Sequence, residues 1–264
     1  PGGPAMIRLL LILGPPALLF GCAGVQSSLD PAGLEAREVE TLFWTVTAVS
    51  IGVTILVGGF LFLALHGPEG ARRRIATHGT IVAFGIALPV IVLSGLLGYG
   101  LVLMQAGQSR SAQAQSEVTI TGKRWWWRVT YHLPDGREVV SANELRLPVG
   151  RPVALRVDTE DVIHSFWAPR LGGKLDMIPG RTNILTVQAS EEGISRAQCA
   201  EYCGGAHALM SMFVVAMAPE AYRAWLAGEA GPAAEPRDDA ARRGRDLFLG
   251  YGCGACHTVR GTSA

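Results

Sequence analysis

Two stretches of this chain, 41–65 and 79–104, carry no charged residue at all. A helix rises 1.5 Å per residue, so about 20 apolar residues cross the ~30 Å hydrocarbon core of a bilayer, and each stretch predicts a transmembrane helix. Pro89 interrupts the second, which a membrane helix tolerates when neighbouring groups satisfy the freed carbonyl. Together the two spans predict a hairpin over 41–104. An earlier apolar run, Leu9 to Phe20, is short for a span; with Arg8 before it and Cys22 after it, residues 1–22 read as a secretory signal. A polar linker is expected at 105–115. The pattern then changes from apolar blocks to short alternating runs at 118–121, 125–131, 153–158, 183–188 and 213–217. In the run 153–158 the apolar Val153, Leu155 and Val157 fall on every second position, as a strand with one buried face requires. Pro134-Asp135-Gly136 is a turn signal, because Pro fixes φ and Gly accepts positive φ. No long amphipathic helix interrupts 116–227, which predicts an all-β domain of Greek-key type, with a short helix closing it at 219–226. An Ala, Gly and Pro-rich linker follows at 228–239, and a new helix starts at Ala240.

Charge orients the hairpin. The connection between the spans holds Arg72, Arg73 and Arg74, whereas Asp30, Glu35, Glu38 and Glu40 precede the first span. The positive-inside rule places the short loop in the cytoplasm, and both termini and the β domain outside. Composition agrees with a lipid-bilayer partner: 49% of the 264 residues are hydrophobic and only 17% charged. A net charge of +1 leaves no basic footprint for nucleic acid.

The five cysteines lie at 22, 199, 203, 253 and 256. Leu19-Phe20-Gly21-Cys22 resembles a bacterial lipoprotein cleavage box, with Cys22 as the lipidated residue. Cys199 and Cys203 share one loop with His207 and Met210, and His164 lies upstream. Thiolate, imidazole and thioether form a soft donor set suited to copper. A disulfide or a structural zinc would also use such a cysteine pair, but neither has a use for the thioether. Cys253-Gly-Ala-Cys256-His257 has the spacing of a c-type haem attachment site, with a redox dithiol or a zinc knuckle as the alternatives.

The run Gln198 to Met210 (QCAEYCGGAHALM), with Asp161 to Trp167 (DVIHSFW) and Asp176 to Arg181 (DMIPGR), closely resembles subunit II of the haem-copper cytochrome c oxidases. The resemblance extends from about Thr41 to Ala224. It implies a cupredoxin fold over 116–227 holding a binuclear copper A centre. Cys199 and Cys203 would bridge the two coppers, His164 and His207 would bind one each, and Met210 and the carbonyl of Glu201 would complete the set. Met212 competes for the thioether role, and the family spacing favours Met210. The Glu201 carboxylate would turn toward a magnesium ion shared with subunit I. Each imidazole is expected to have a partner fixing its orientation. In the aromatic run 125–127, Trp125 is implied as the point where electrons arrive, while Trp126 and Trp127 read as packing residues.

By the same resemblance, 240–264 begins a C-terminally fused cytochrome c domain in which Cys253, Cys256 and His257 would hold haem c. Such a domain needs roughly 80 residues, and this one reads as truncated. The implied protein lies in a bacterial plasma membrane with oxidase subunits I and III as partners. Cytochrome c, or the fused domain, would be its donor, and oxygen would be reduced in subunit I. Two departures stand out: Val82 replaces a glutamate common at a proton path in the family, and His78 lies one turn nearer the helix start. Three competing readings use related modules: a nitric oxide reductase or a nitrous oxide reductase with copper A, a copper-delivery protein, and a quinol oxidase subunit without metal.

Overall fold

The computed structural model describes residues 23–255, 257 and 259, so the signal at 1–22, Cys22 and Cys256 lie outside the described residues. Among the described residues, two helices are long and apolar enough to cross a membrane. The first, α1, runs Leu34–His66; at 1.5 Å per residue its 33 residues reach about 50 Å, well beyond the hydrocarbon core. Within it the hydroxyls of Thr41, Thr45 and Thr54 donate to the carbonyls four residues back, so none is left unpaired in lipid. A short helix, α2 (Glu69–Ile75), carries the three arginines of the connecting loop.

The return span starts as α3 (His78–Val82), passes through a π-helical turn at Ala83–Ala87, and continues as α4 (Leu88–Gln113). Pro89 has no N–H to give, and the π turn just ahead of it lets Leu88 N–H reach the Ala83 carbonyl. The linker expected at 105–115 is corrected here. Residues 105–113 are helical, because Gln, Ala and Arg are good helix formers and Arg110 is held by a bidentate pair to Glu38 of α1 at 2.8 and 2.5 Å.

Only Ala114 separates α4 from β1 (Gln115–Lys123). One sheet has the order β3 (Glu138–Ala142), β2 (Trp126–His132), β1, β5 (Val153–Thr159), β8 (Asn183–Val187). The other has the order β4 (Glu144–Pro148), β10 (Ser211–Met217), β9 (Gly193–Cys199), β6 (His164–Trp167), β7 (Lys174–Met177). The chain crosses between the sheets repeatedly, and β1 with β5 and β4 with β10 pair in parallel. This is the Greek-key cupredoxin sandwich. Alternation builds its core: Ile120 of β1 sits between Val129 of β2 and Val157 of β5, all fully buried. Helix α5 (Pro219–Glu229) covers one end, and Trp225 meets Tyr131 edge-on at 5.1 Å. Asp238 caps α6 (Asp239–Gly250) by accepting from Ala241 N–H.

The β domain is tied to the hairpin through backbone. Ala32 and Gly33 N–H donate to the Arg170 carbonyl at 2.8 and 2.9 Å, Leu34 N–H to Gln188, and Ala36 N–H to Leu171. The bonds from Leu34 and Ala36 satisfy two of the first donors of α1, which a helix start otherwise leaves open.

Candidate metal centre

Three segments converge at one end of the inner strands of the second sheet. β6 contributes His164 as its first residue, β9 ends on Cys199, and the loop from β9 to β10 carries Glu201, Cys203, His207 and Met210. His164 opens its strand, just beyond the predicted run 153–158. The four-residue spacing of the cysteines works because the chain reverses at once: Ala200 N–H donates to Ser165, Cys199 N–H to Met210, and a short turn at His207–Leu209 brings the chain back.

The distances define a compact donor set. The sulfurs of Cys199 and Cys203 are 3.8 Å apart. Nδ1 of His164 lies 3.8 Å from the Cys199 sulfur, and Nδ1 of His207 lies 3.5 Å from the Cys203 sulfur. The Met210 sulfur stands 3.7 Å from that of Cys203, and the Cys199 thiol donates to the Glu201 carbonyl at 3.1 Å. Potential ligand atoms of His164, Cys199 and Cys203 all lie within 4.8 Å of one another. His164 is fully buried, and Cys199, Cys203 and Met210 nearly so. Met212, the competing thioether, is the next buried side chain along β10 and packs in the core cluster.

Chemistry favours a cation here. Burial first, and then the neighbouring Cys199, push the Cys203 thiol up to about 12. Two buried sulfurs this close cannot both be thiolates without a positive charge between them. A soft metal supplies that charge and matches the donors, so the residues present fit a thiolate-bound copper.

Spacing alone does not reveal Asp161. Its Oδ1 accepts from Nε2 of His164 at 2.7 Å, and the other ring nitrogen, Nδ1, is turned toward Cys199. Oδ2 accepts from Arg124 N–H at 2.7 Å, and Oδ1 also accepts from Val162 N–H at 2.7 Å. Burial opposes the charge on Asp161, but the bonds from the Arg124 amide, His164 and the Val162 amide outweigh it and hold the carboxyl below its ordinary value. A carboxylate three residues before a candidate histidine is the signal that points to it.

Trp125 follows β1 and is 41% exposed. Its indole Nε1–H donates to the Cys203 carbonyl at 3.1 Å. The ring lies against the two glycines after Cys203: a Cβ on Gly204, whose φ is +111°, would come 3.4 Å from the ring. Trp127 is instead fully buried, edge-on to Phe166 at 5.8 Å and 6.2 Å from the His164 ring. Trp126 lies beneath Lys123 and Arg128 at 5.5 and 5.8 Å. The Glu201 carboxylate is on an exposed residue and accepts from Tyr202 N–H at 3.1 Å. Far from this cluster along the chain, Cys253 is exposed and unbridged on a short turn, and His257 N–H donates to its carbonyl at 2.9 Å.

Fold and site together define a membrane-anchored cupredoxin with a buried thiolate, imidazole and thioether cluster. The profile of the family described as "Cytochrome C oxidase subunit II, periplasmic domain" matches residues 134–217. Cytochrome c oxidase subunit 2 of Alkalihalophilus pseudofirmus is 29% identical over 258 residues, covering 92% of this chain and 74% of that one. Subunit 2 of Branchiostoma floridae is 33% identical over 215 residues, covering 75% and 93%. A crystal structure of the periplasmic domain of subunit II of cytochrome oxidase from Bradyrhizobium japonicum superposes with a TM-score of 0.41 at 30% identity, over 44% of this chain and 94% of that one. The chain belongs to the cytochrome c oxidase subunit 2 family.

Proposed function

We propose that this chain is the subunit through which electrons enter a respiratory cytochrome c oxidase, accepting them from cytochrome c and passing them to subunit I. The supporting observation is the convergence of His164, Cys199, Cys203, His207, Met210 and the Glu201 carbonyl at separations of 3.1 to 3.8 Å between neighbours. Cys199 and Cys203 would hold a copper pair together with His164, His207, Met210 and the Glu201 carbonyl. Bound there, the pair supplies a one-electron carrier whose charge is shared over two metals. The chain's part is to hold the donors on strands and a short turn so that little rearranges when the charge changes, and to keep water out by burying the sulfurs.

Trp125 is the proposed arrival point, since it joins the surface to the Cys203 carbonyl through one hydrogen bond. The Glu201 carboxylate would face a magnesium ion at the boundary with subunit I. Residues 41–104 would span a bacterial plasma membrane with 116–227 outside, after a signal at 1–22. Beyond the linker at 228–239, residues 240–264 would begin a cytochrome c domain whose Cys253, Cys256 and His257 hold haem c as a tethered donor.

Metal analysis and electron paramagnetic resonance of the purified full chain test this reading. A copper pair with a mixed-valence hyperfine pattern is expected, lost in Cys203→Ser. A single copper, zinc or no metal would overturn it. A partner subunit that reduces nitric oxide in place of oxygen would move the same module to another enzyme.

A further inference from the structure

Gly122, the penultimate residue of β1, is buried and held on both edges of its strand. It pairs with Trp127 on β2 and Thr159 on β5, and its carbonyl accepts from Glu160 N–H at 3.2 Å and the Thr159 hydroxyl at 3.3 Å. Its φ is not in the left-handed region. Conformational freedom therefore does not account for a glycine here, and within a strand glycine weakens the element. Space does account for it. A Cβ on Gly122 would stand 2.8 Å from Cδ2, 3.0 Å from Cγ and 3.3 Å from Cβ of His164, inside the ~3.5–4.0 Å at which carbons pack.

The imidazole has little room to retreat. It is fully buried, Trp127 packs beside it, and Nε2 is tied to Asp161. Asp161 is in turn gripped by the amide of Arg124, two residues after Gly122. The same turn of chain thus makes room for the ring and anchors the carboxylate that orients it. A methyl at position 122 must either break the Asp161 bond or carry Nδ1 away from Cys199.

We infer that Gly122 is a positioning residue of the metal centre: the missing side chain sets where the His164 imidazole stands relative to the Cys199 sulfur. The link to copper rests on the function proposed above, whereas the steric coupling to His164 does not.

A double-mutant cycle on the metal-free full chain separates the two. Gly122→Ala should lower the unfolding temperature when His164 is present and should leave it nearly unchanged in a His164→Ala background; equal lowering in both overturns the inference. If Gly122→Ala alone fails to fold, recovery in the double variant supports the coupling and continued failure refutes it. In the copper-loaded chain, Gly122→Ala should weaken copper retention roughly tenfold or more and alter the hyperfine pattern. Gly244→Ala, at a helical glycine with no atom near its absent Cβ, should preserve the pattern. An unaltered pattern with undiminished retention in Gly122→Ala would overturn the positioning role. A wild-type chain that binds no copper pair would sink the proposed function, and the unfolding cycle would still decide the steric claim.

Discussion

Asp161 and His164 meet at 2.7 Å, carboxylate oxygen to Nε2, and this contact presents the other ring nitrogen to the Cys199 sulfur. A histidine ligand holds its metal best when its far nitrogen is fixed, because the ring then neither rotates nor changes tautomer. Asp161→Ala should lower copper retention by roughly 10 to 100-fold, read by competition with a chelator. Asp161→Asn, which keeps the shape, should lose less. Equal retention in wild type and Asp161→Ala would show that packing alone orients the ring.

Copper loading should release protons. The Cys203 thiol, pushed up to about 12 by burial and the neighbouring Cys199, is protonated at neutral pH, and only its thiolate serves as a ligand. Below that value metal and proton compete for one sulfur, so apparent affinity rises with pH and levels off above it. A pH indicator in weak buffer should register the expelled proton. Affinity that stays flat between about pH 6 and pH 8 would contradict this competition.

Trp125→Phe removes the hydrogen bond to the Cys203 carbonyl while leaving an aromatic ring against Gly204. Electron delivery from reduced cytochrome c should slow roughly tenfold or more, equivalent to ~1.4 kcal/mol or more of barrier, with the copper spectrum unchanged. Stopped-flow mixing measures the rate. A spectrum that changes along with the rate would make Trp125 a support of the site and not a conduit.

Gly33→Ala tests the joint between hairpin and β domain. A Cβ there would lie 2.6 Å from the Leu171 carbonyl oxygen and 2.8 Å from its Cα, both backbone atoms that cannot swing aside. The cost should be about 1–3 kcal/mol, with faster hydrogen exchange at Ala32, Gly33 and Ala36 amides. Protected amides at wild-type rates would show that the joint absorbs the methyl.

The hairpin and the ligand loop were legible in the sequence for different reasons. An uncharged run of this length has few other uses, and Cys199 to Met210 puts most of the donor set within one short segment. Hydropathy marks where lipid begins and ends, not where a helix does, which is why α1 and α4 extend past the apolar stretches and take in 105–113. The strands β3, β4, β6, β7 and β9 are short or weakly alternating, and pairing with neighbouring strands defines them. Gly122 was invisible as a site residue because its role depends on strand register, whereas Asp161 left a trace only in standing three residues before His164.

The single residue between α4 and β1 has a consequence for distance. With Ala114 as the only joint on one side and a backbone-bonded helix start on the other, the β domain is braced like a beam on two posts. The two attachments limit how far the domain can rock against the spans. For the function proposed above, that bracing would keep the distance between the metal site and a membrane partner constant.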